Sequence, residues 1–423
     1  MKGAADVKAR GWGVPGVAAR RGPPRKRPEG GTRMIVRCSK RAAILLIISA
    51  LWLGCGRHDG PEPQVNNASQ GAGDGAQAGN MPDRAKPRGI VPYAGALQEK
   101  PVIHEPNAEY LLVYWRDFKP TADAPLTKES VLAAIEKRLN RPLSTDKPQV
   151  AIRFNATGHA KNGPLPDWFK PEWRAPPLCN TAADQQLPAW TDPEQLAAHA
   201  ELVKALASAL DGHPRVAWVE PGSYGFWGEG HIDGAPAGCV PRIETREALA
   251  RPWVENFRRT PLSVTMNWMR NTDDPAHRLR TIWGSAASIG LRFDCLGFWH
   301  DQYGSVVEAM DAAHLSGWTG PWGGEFCWGE DGARWAMGSD KFANGDILGN
   351  APPAVLKMKG DERRKRVLDV VRHCGWSYLA GAGGTLLEKE LENGKLAKEL
   401  EGAMTGAPRD LRKCAEALRA GHK

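Results

Sequence analysis

At 423 residues and 42% hydrophobic content, the chain can bury a full-sized core, as one large barrel or as two smaller domains. Its formal charge of +8 suggests a nucleic-acid partner only until the charge is located. Residues 1–54 hold 12 of the 56 Lys and Arg side chains and two of the 48 acidic ones, so the remainder is close to neutral, which excludes the basic surface of a nucleic-acid binder.

The basic segment reads as a leader. Arg37, Lys40 and Arg41 precede the 13-residue apolar run AAILLIISALWLG (residues 42–54), which stops at Cys55. A bilayer span needs about 20 apolar residues, so the run suits the core of a signal peptide. The ending LWLGC resembles a bacterial lipoprotein signal, which implies a lipid on Cys55; Gly56 in place of Asp implies outer-membrane sorting. A cleaved signal without lipid and a short uncleaved anchor stay open. Residues 1–33 are rich in Gly, Arg and Pro and precede Met34, where a signal of ordinary length begins. They are expected to be a mis-assigned start or a long n-region, with the signal at 34–54. Residues 55–88 are poor in apolar side chains and rich in Gly, Asn, Gln and Pro, so they are expected to form a disordered tether.

From residue 89 onward, short apolar runs alternate with helical patterns. Strands are predicted at 89–94, 110–115, 149–155, 215–221, 262–268, 289–294, 320–326 and 375–380. Helices are predicted at 128–139, 193–210, 246–257, 361–374 and 411–420. Eight strands with intervening helices predict an α/β fold, a single (β/α)8 TIM barrel over 89–423. A doubly wound open sheet is the alternative, but no G-x-G-x-x-G or P-loop pattern supports a nucleotide site in it. Six cysteines follow Cys55 without C-x-x-C spacing, which argues against structural zinc. Cys179 and Cys239 fall in long loops expected on one face and are the preferred disulfide pair.

A barrel carries its chemistry at the carboxyl ends of its strands. VEPGSYGFWGEGHIDG (219–234) begins at the end of the fourth predicted strand, and PWGGEFCWGED (321–331) lies at the seventh. Together they offer Glu220, Glu229 and Glu325, set among glycines and indoles. Two carboxyl groups flanking an anomeric carbon hydrolyse a glycosidic bond, one as acid/base and one as nucleophile, with retention at about 5 Å separation and inversion at wider spacing. Other strand ends supply Arg153, Asn155, Asn267, Arg292 and Asp294, expected to bind sugar hydroxyls or an anionic sugar. The chain has 17 tryptophans against 6 tyrosines. Indole faces suit the apolar faces of pyranose rings, and Trp227 and Trp322 adjoin the candidate carboxylates. His231 and His300 lack H-x-x-x-H spacing and a third ligand, so no metal is expected.

The order of a Trp-bearing second strand, an IRF third strand, VAWVE…WGEGH at the fourth and GGE at the seventh resembles the retaining (β/α)8 glycoside hydrolase clan. Within it the chain is most similar to the β-galactosidase-like branch and to an uncharacterised bacterial family with a WGEWH motif. The resemblance spans about Pro101 to Tyr378 and rests on Trp227-Gly228-Glu229, His231 and Gly323-Gly324-Glu325. It implies Glu229 as acid/base and Glu325 as nucleophile, a carbohydrate substrate and no cofactor. On this reading Trp227 raises the Glu229 pKa, and Arg292 or Tyr378 holds Glu325 ionised. His231 joins the substrate-binding set. Gly228 stands where the clan commonly has Asn, which leaves Glu220 open as the acid/base. It also leaves open a carbohydrate-binding lipoprotein without turnover.

Overall fold

The computed structural model describes residues 89–92, 108–144, 148–161, 163–182, 184–269, 282–283, 289–298, 300–312, 320–327, 329–380, 395–404 and 409–419. The leader, the tether and Cys55 lie outside them, as do Trp299, Trp318 and Trp328. Among the described residues no helix is long and apolar enough to cross a membrane.

Eight parallel strands build the sheet: β1 (Gly89–Val91), β2 (Ala108–Tyr114), β3 (Gln149–Asn155), β4 (Val216–Gly222), β5 (Leu262–Thr265), β6 (Ile289–Phe293), β7 (Gly323–Gly324) and β8 (Tyr378–Ala380). From β2 to β8 each strand pairs with the next in sequence, and β1 pairs with β8. The Tyr110 N–H donates to Pro92 O at 2.7 Å, bringing β2 against the end of β1. The sheet therefore curls into a nearly closed (β/α)8 barrel, and the open doubly wound alternative is ruled out by the β1–β8 ladder.

Helices cover the outside: α1 (Lys128–Leu139), α2 (Pro193–Leu210), α3 (Ile243–Asn256), α4 (His300–Ala312), α5 (Gly329–Ala336), α6 (Gly360–His373), α7 (Lys395–Ala403) and α8 (Leu411–Arg419). Thr127 and Asp192 cap α1 and α2 by accepting backbone N–H groups, and Pro193 begins α2 where its missing donor costs nothing. Strand alternation separates two apolar layers. Outward residues such as Ile152, Phe154, Val219, Leu291 and Phe293 pack under the helices, whereas Tyr110, Ala151, Trp218, Tyr378 and Ala380 fill the barrel.

Several predicted strands are shorter in the fold. Of 320–326 only Gly323–Gly324 pair, and Met266–Met269 coils into a 3₁₀ turn beyond β5. Helices α4, α5 and α7 stand where no helical period was read. Among the described residues three disulfides cross-link the shell: Cys179–Cys239 between the loops after β3 and β4, Cys295–Cys327 after β6 and β7, and Cys374–Cys414 between α6 and α8.

Candidate active site

The site is layered. At its base lies Glu220 on β4, 2% exposed. Its Oε2 accepts from Tyr110 Oη, and its Oε1 accepts from Trp218 Nε1 at 3.1 Å and Tyr378 Oη at 3.1 Å. Burial raises both tyrosine pKa values well above their ordinary value, so the phenols remain donors. Ser263 Oγ lies 2.9 Å behind Tyr378 Oη. Glu220, open as a catalytic acid on sequence, therefore has both oxygens engaged below the mouth, and Arg292 Nε sits 3.5 Å from its Oε2.

Arg292 on β6, fully buried, links this base to the mouth. Its Nη2 ion-pairs with Glu325 Oε1 and lies 3.5 Å from Glu229 Oε1 and 3.9 Å from Asp294 Oδ1. Because Glu229 and Glu325 reach the same nitrogen, their two oxygens are within about 6 Å of each other. Both carboxylates keep a little exposure, 12% and 13%. Tyr378, expected to hold Glu325, instead serves Glu220.

The loop carrying Glu229 is shaped by backbone geometry. Arg153 on β3 lies 3.1 Å from Glu229 Oε1 and donates to Trp227 O at 2.7 Å. The Trp227 N–H donates to Gln185 Oε1 at 2.9 Å. These bonds hold Trp227 at φ 52°, in the left-handed region, with its side chain partly in solvent at 37% exposure. Gly228, at φ 72°, presses on β4: a Cβ there would sit 2.9 Å from Gly222 Cα and 3.2 Å from Asn155 Oδ1. Gly228→Ala is accordingly expected to destabilise the fold by about 1–3 kcal/mol and to displace Glu229. Thermal unfolding beside ligand-free crystallography of the variant would measure both effects. Asn155 Oδ1 accepts from Thr157 N and Oγ1 at 3.0 and 2.6 Å, so this residue shapes the same turn.

His231 stands between acids. Its Nε2 lies 3.4 Å from Glu229 Oε2 and 3.9 Å from Asp294 Oδ2, and its Nδ1 lies 3.3 Å from Asp233 Oδ2. Asn267 Nδ2 donates to Asp294 Oδ2 at 3.2 Å and is itself held by Tyr303 Oη at 3.0 Å. Burial raises the Glu229 carboxyl, but Arg153, the His231 hydrogen bond and Arg292 outweigh it and hold the group well below the usual carboxylate range. Trp227 thus does not set this pKa, contrary to the expectation of a raised value. Burial pushes Glu325 up to about 7 in spite of Arg292, with anionic Glu229 adding to the rise. Burial also raises Asp294, and Glu229 adds to that rise. Burial lowers His231, but its acidic neighbours reverse the shift and raise it.

The expected tryptophan pair is divided. Trp227 faces the mouth, but Trp322 is 1% exposed, packed against Phe293 under the Arg409 guanidinium in the outer layer. It cannot bind a sugar there, because the residue before Gly323 faces the helices. Tyr110, Trp218 and Gln185 were not foreseen. Period-two counting along β2 and β4 puts the first two on the inner face, whereas no local signal marks Gln185.

Glu229, His231 and Asp294 place ligand atoms within 4.8 Å of one another, the spacing of a possible cation site. Two guanidinium groups already compensate the Glu229 charge and oppose a cation. Asp294, Cys295 and Cys327 are similarly close, but the two sulfurs are bonded to each other.

No protein-family model matches the chain, and no curated protein is significantly similar. Solved structures with a similar chain path include endo-glycoceramidase II from Rhodococcus sp. as a lactosyl-enzyme intermediate, at 13% identity over 71% of this chain and 74% of that one, with a TM-score of 0.36. An α-amylase from Geobacillus thermoleovorans complexed with acarbose is similar at 14% identity, over 75% and 70% of the two chains, with a TM-score of 0.34. GH26C from Muricauda sp. MAR_2010_75 is similar at 10% identity, over 77% and 91%, with a TM-score of 0.31. At this level of likeness they bear on neither the substrate nor the role of any residue.

Proposed function

We propose that the chain is a retaining glycoside hydrolase acting on an extracellular or periplasmic carbohydrate, with Glu229 and Glu325 as its catalytic pair. The observation that carries this reading is the pair itself: two partly exposed carboxylates on one guanidinium nitrogen, at the carboxyl end of a barrel, with pKa values pushed in opposite directions. The charges reverse the roles implied by the resemblance. Glu229, kept ionised by Arg153 and His231, attacks the anomeric carbon as the bond to the leaving oxygen breaks. Glu325 gives that oxygen its proton, then takes a proton from the water that releases the sugar from Glu229. Trp227 offers a ring face to the sugar, and Asp294, Asn267 and His231 offer polar atoms to its hydroxyls. No step requires a cofactor.

The test uses protein lacking residues 1–54, incubated with aryl glycosides and polysaccharides while NMR follows the first anomer released. Release with retained configuration is expected. An inverted product sinks the retaining mechanism, and saturable binding without turnover favours a carbohydrate-binding protein. For location, we propose an exported lipoprotein held by Cys55; labelling with a radioactive fatty acid that persists in Cys55→Ser would remove that reading.

The pH dependence follows from Glu325. As its proton leaves, kcat/KM is expected to fall tenfold per unit above about pH 7, with no acidic limb in the ordinary carboxylate range. Stability has a matching sign. A carboxyl whose folded pKa is raised from 4.5 to about 7 contributes stability fully present below pH 4.5 and lost as pH rises through 7. The loss amounts to about 3 kcal/mol. Glu325→Gln mimics the protonated form, so its Tm is expected to exceed that of the wild type at pH 8 and to match it at pH 4. A Tm difference independent of pH would count against the raised value.

A further inference from the structure

We infer that the Cys295–Cys327 disulfide is a positioning clamp that holds Glu325 against Arg292; the inference rests on the glycosidase reading for its functional meaning. The strand that presents Glu325 is the shortest of the eight. It consists of Gly323 and Gly324, which have no side chains to pack and the greatest backbone freedom to lose. Larger residues are barred: a Cβ on Gly323 would lie 2.4 Å from Tyr378 Cδ1, and one on Gly324 2.3 Å from Phe293 O. Two backbone bonds tie the glutamate to the neighbouring strand end, Glu325 N–H to Phe293 O at 3.2 Å and Leu296 N–H to Glu325 O at 2.8 Å.

The bridge supplies what the glycines cannot. It joins the residue after Asp294 to the second residue after Glu325, so the ends of β6 and β7, with Arg292 and Asp294, are held together with Glu325. Cys295 adopts φ 56°, a left-handed conformation that a side chain rarely takes, and it does so in the strand end beside the site. Strained backbone of this kind persists where surrounding structure enforces it. Neither cysteine carries a group needed for the proposed chemistry; their contribution is to the placement of Glu325. The groups that face that carboxyl are Arg292, Glu229, Arg153 and Asp294, from β6, the β4 loop, β3 and the β6 end. With the clamp removed, Glu325 gains water and its ionised form becomes easier to reach.

The test is Cys295→Gly/Cys327→Ala, in which glycine accepts the left-handed backbone, so the covalent tie is lost without retaining the strain. Glutamate labelled with ¹³C at the carboxyl, with Glu325 assigned from its loss in Glu325→Gln, reports the titration without any substrate. The Glu325 midpoint is expected to move down by about one pH unit or more, with kcat falling and KM little changed. Cys374→Ala/Cys414→Ala is expected to lower Tm and leave that midpoint alone. An unmoved midpoint in the folded Cys295→Gly/Cys327→Ala variant overturns the clamp, whatever the activity. A moved midpoint, together with a wild-type protein that turns over no glycoside, upholds the clamp and removes the glycosidase reading. If that variant does not fold, the same titration is run on wild-type protein before and after reduction by a dithiol, which yields two protein thiols and the oxidised reagent; there too an unmoved midpoint overturns the clamp.

Discussion

Glu229→Gln and Glu325→Gln are each expected to lower kcat/KM toward unactivated glycosides by about 10²–10⁴-fold, with the barrel intact. The two losses differ in kind. An aryl group that leaves without a proton bypasses the acid, so Glu325→Gln should still form the glycosyl-enzyme from a dinitrophenyl glycoside, whereas Glu229→Gln should not. Azide separates the roles further. With Glu325→Ala it should intercept the covalent intermediate and give a glycosyl azide of retained configuration. With Glu229→Ala it should attack the sugar directly and give the inverted one. The opposite pattern restores the roles implied by the resemblance, with Glu229 as acid/base. Undiminished turnover in either variant removes the pair.

Loss of Arg292 should produce the largest change in stability. This one guanidinium faces Glu220, Glu229 and Glu325, all of them largely buried. Arg292→Met leaves their charges without a shared counter-ion and is expected to cost about 3–5 kcal/mol, read from urea unfolding at pH 7. Arg292→Lys should recover little, because a single ammonium cannot span Glu220 through one nitrogen and the upper pair through another. Adding Glu229→Gln to Arg292→Met removes one of the stranded charges. The double variant should therefore be more stable than the single one, and strictly additive losses would show that the two groups do not interact. Arg292 then has two contributions, one to the stability of the barrel and one to the charge state of the site.

The barrel was legible in the sequence because its evidence is local and repeated. Runs such as QVAIRFN bury one face under helices and another inside the barrel, and the helical periods of α1 and α2 come with capping residues at their starts. Alternation along β3 placed Arg153 and Asn155 on one face, and β6 with the residue after it did the same for Arg292 and Asp294. Predicted strand ends ran long where a local rule stopped pairing: Pro92 after β1, the 3₁₀ turn after β5, and the loops flanking Gly323–Gly324.

The division of labour among the acids was not legible. Glu220 and Glu229 are nine residues apart on one glycine-rich stretch, and only the meeting of β2, β4 and β8 puts Tyr110, Trp218 and Tyr378 around the former. Trp322 reads like Trp227 in sequence, yet one fills the outer layer and the other faces solvent. By itself, the sequence determined the eight-stranded pattern, the strand ends that carry charge, and the three candidate glutamates, Glu220, Glu229 and Glu325. The tertiary structure decided which carboxyl is pushed up and which is held down, which cysteines pair beside them, and which indole faces the mouth. Those properties depend on burial and on charges brought from distant strands, and neither can be read from spacing along the chain.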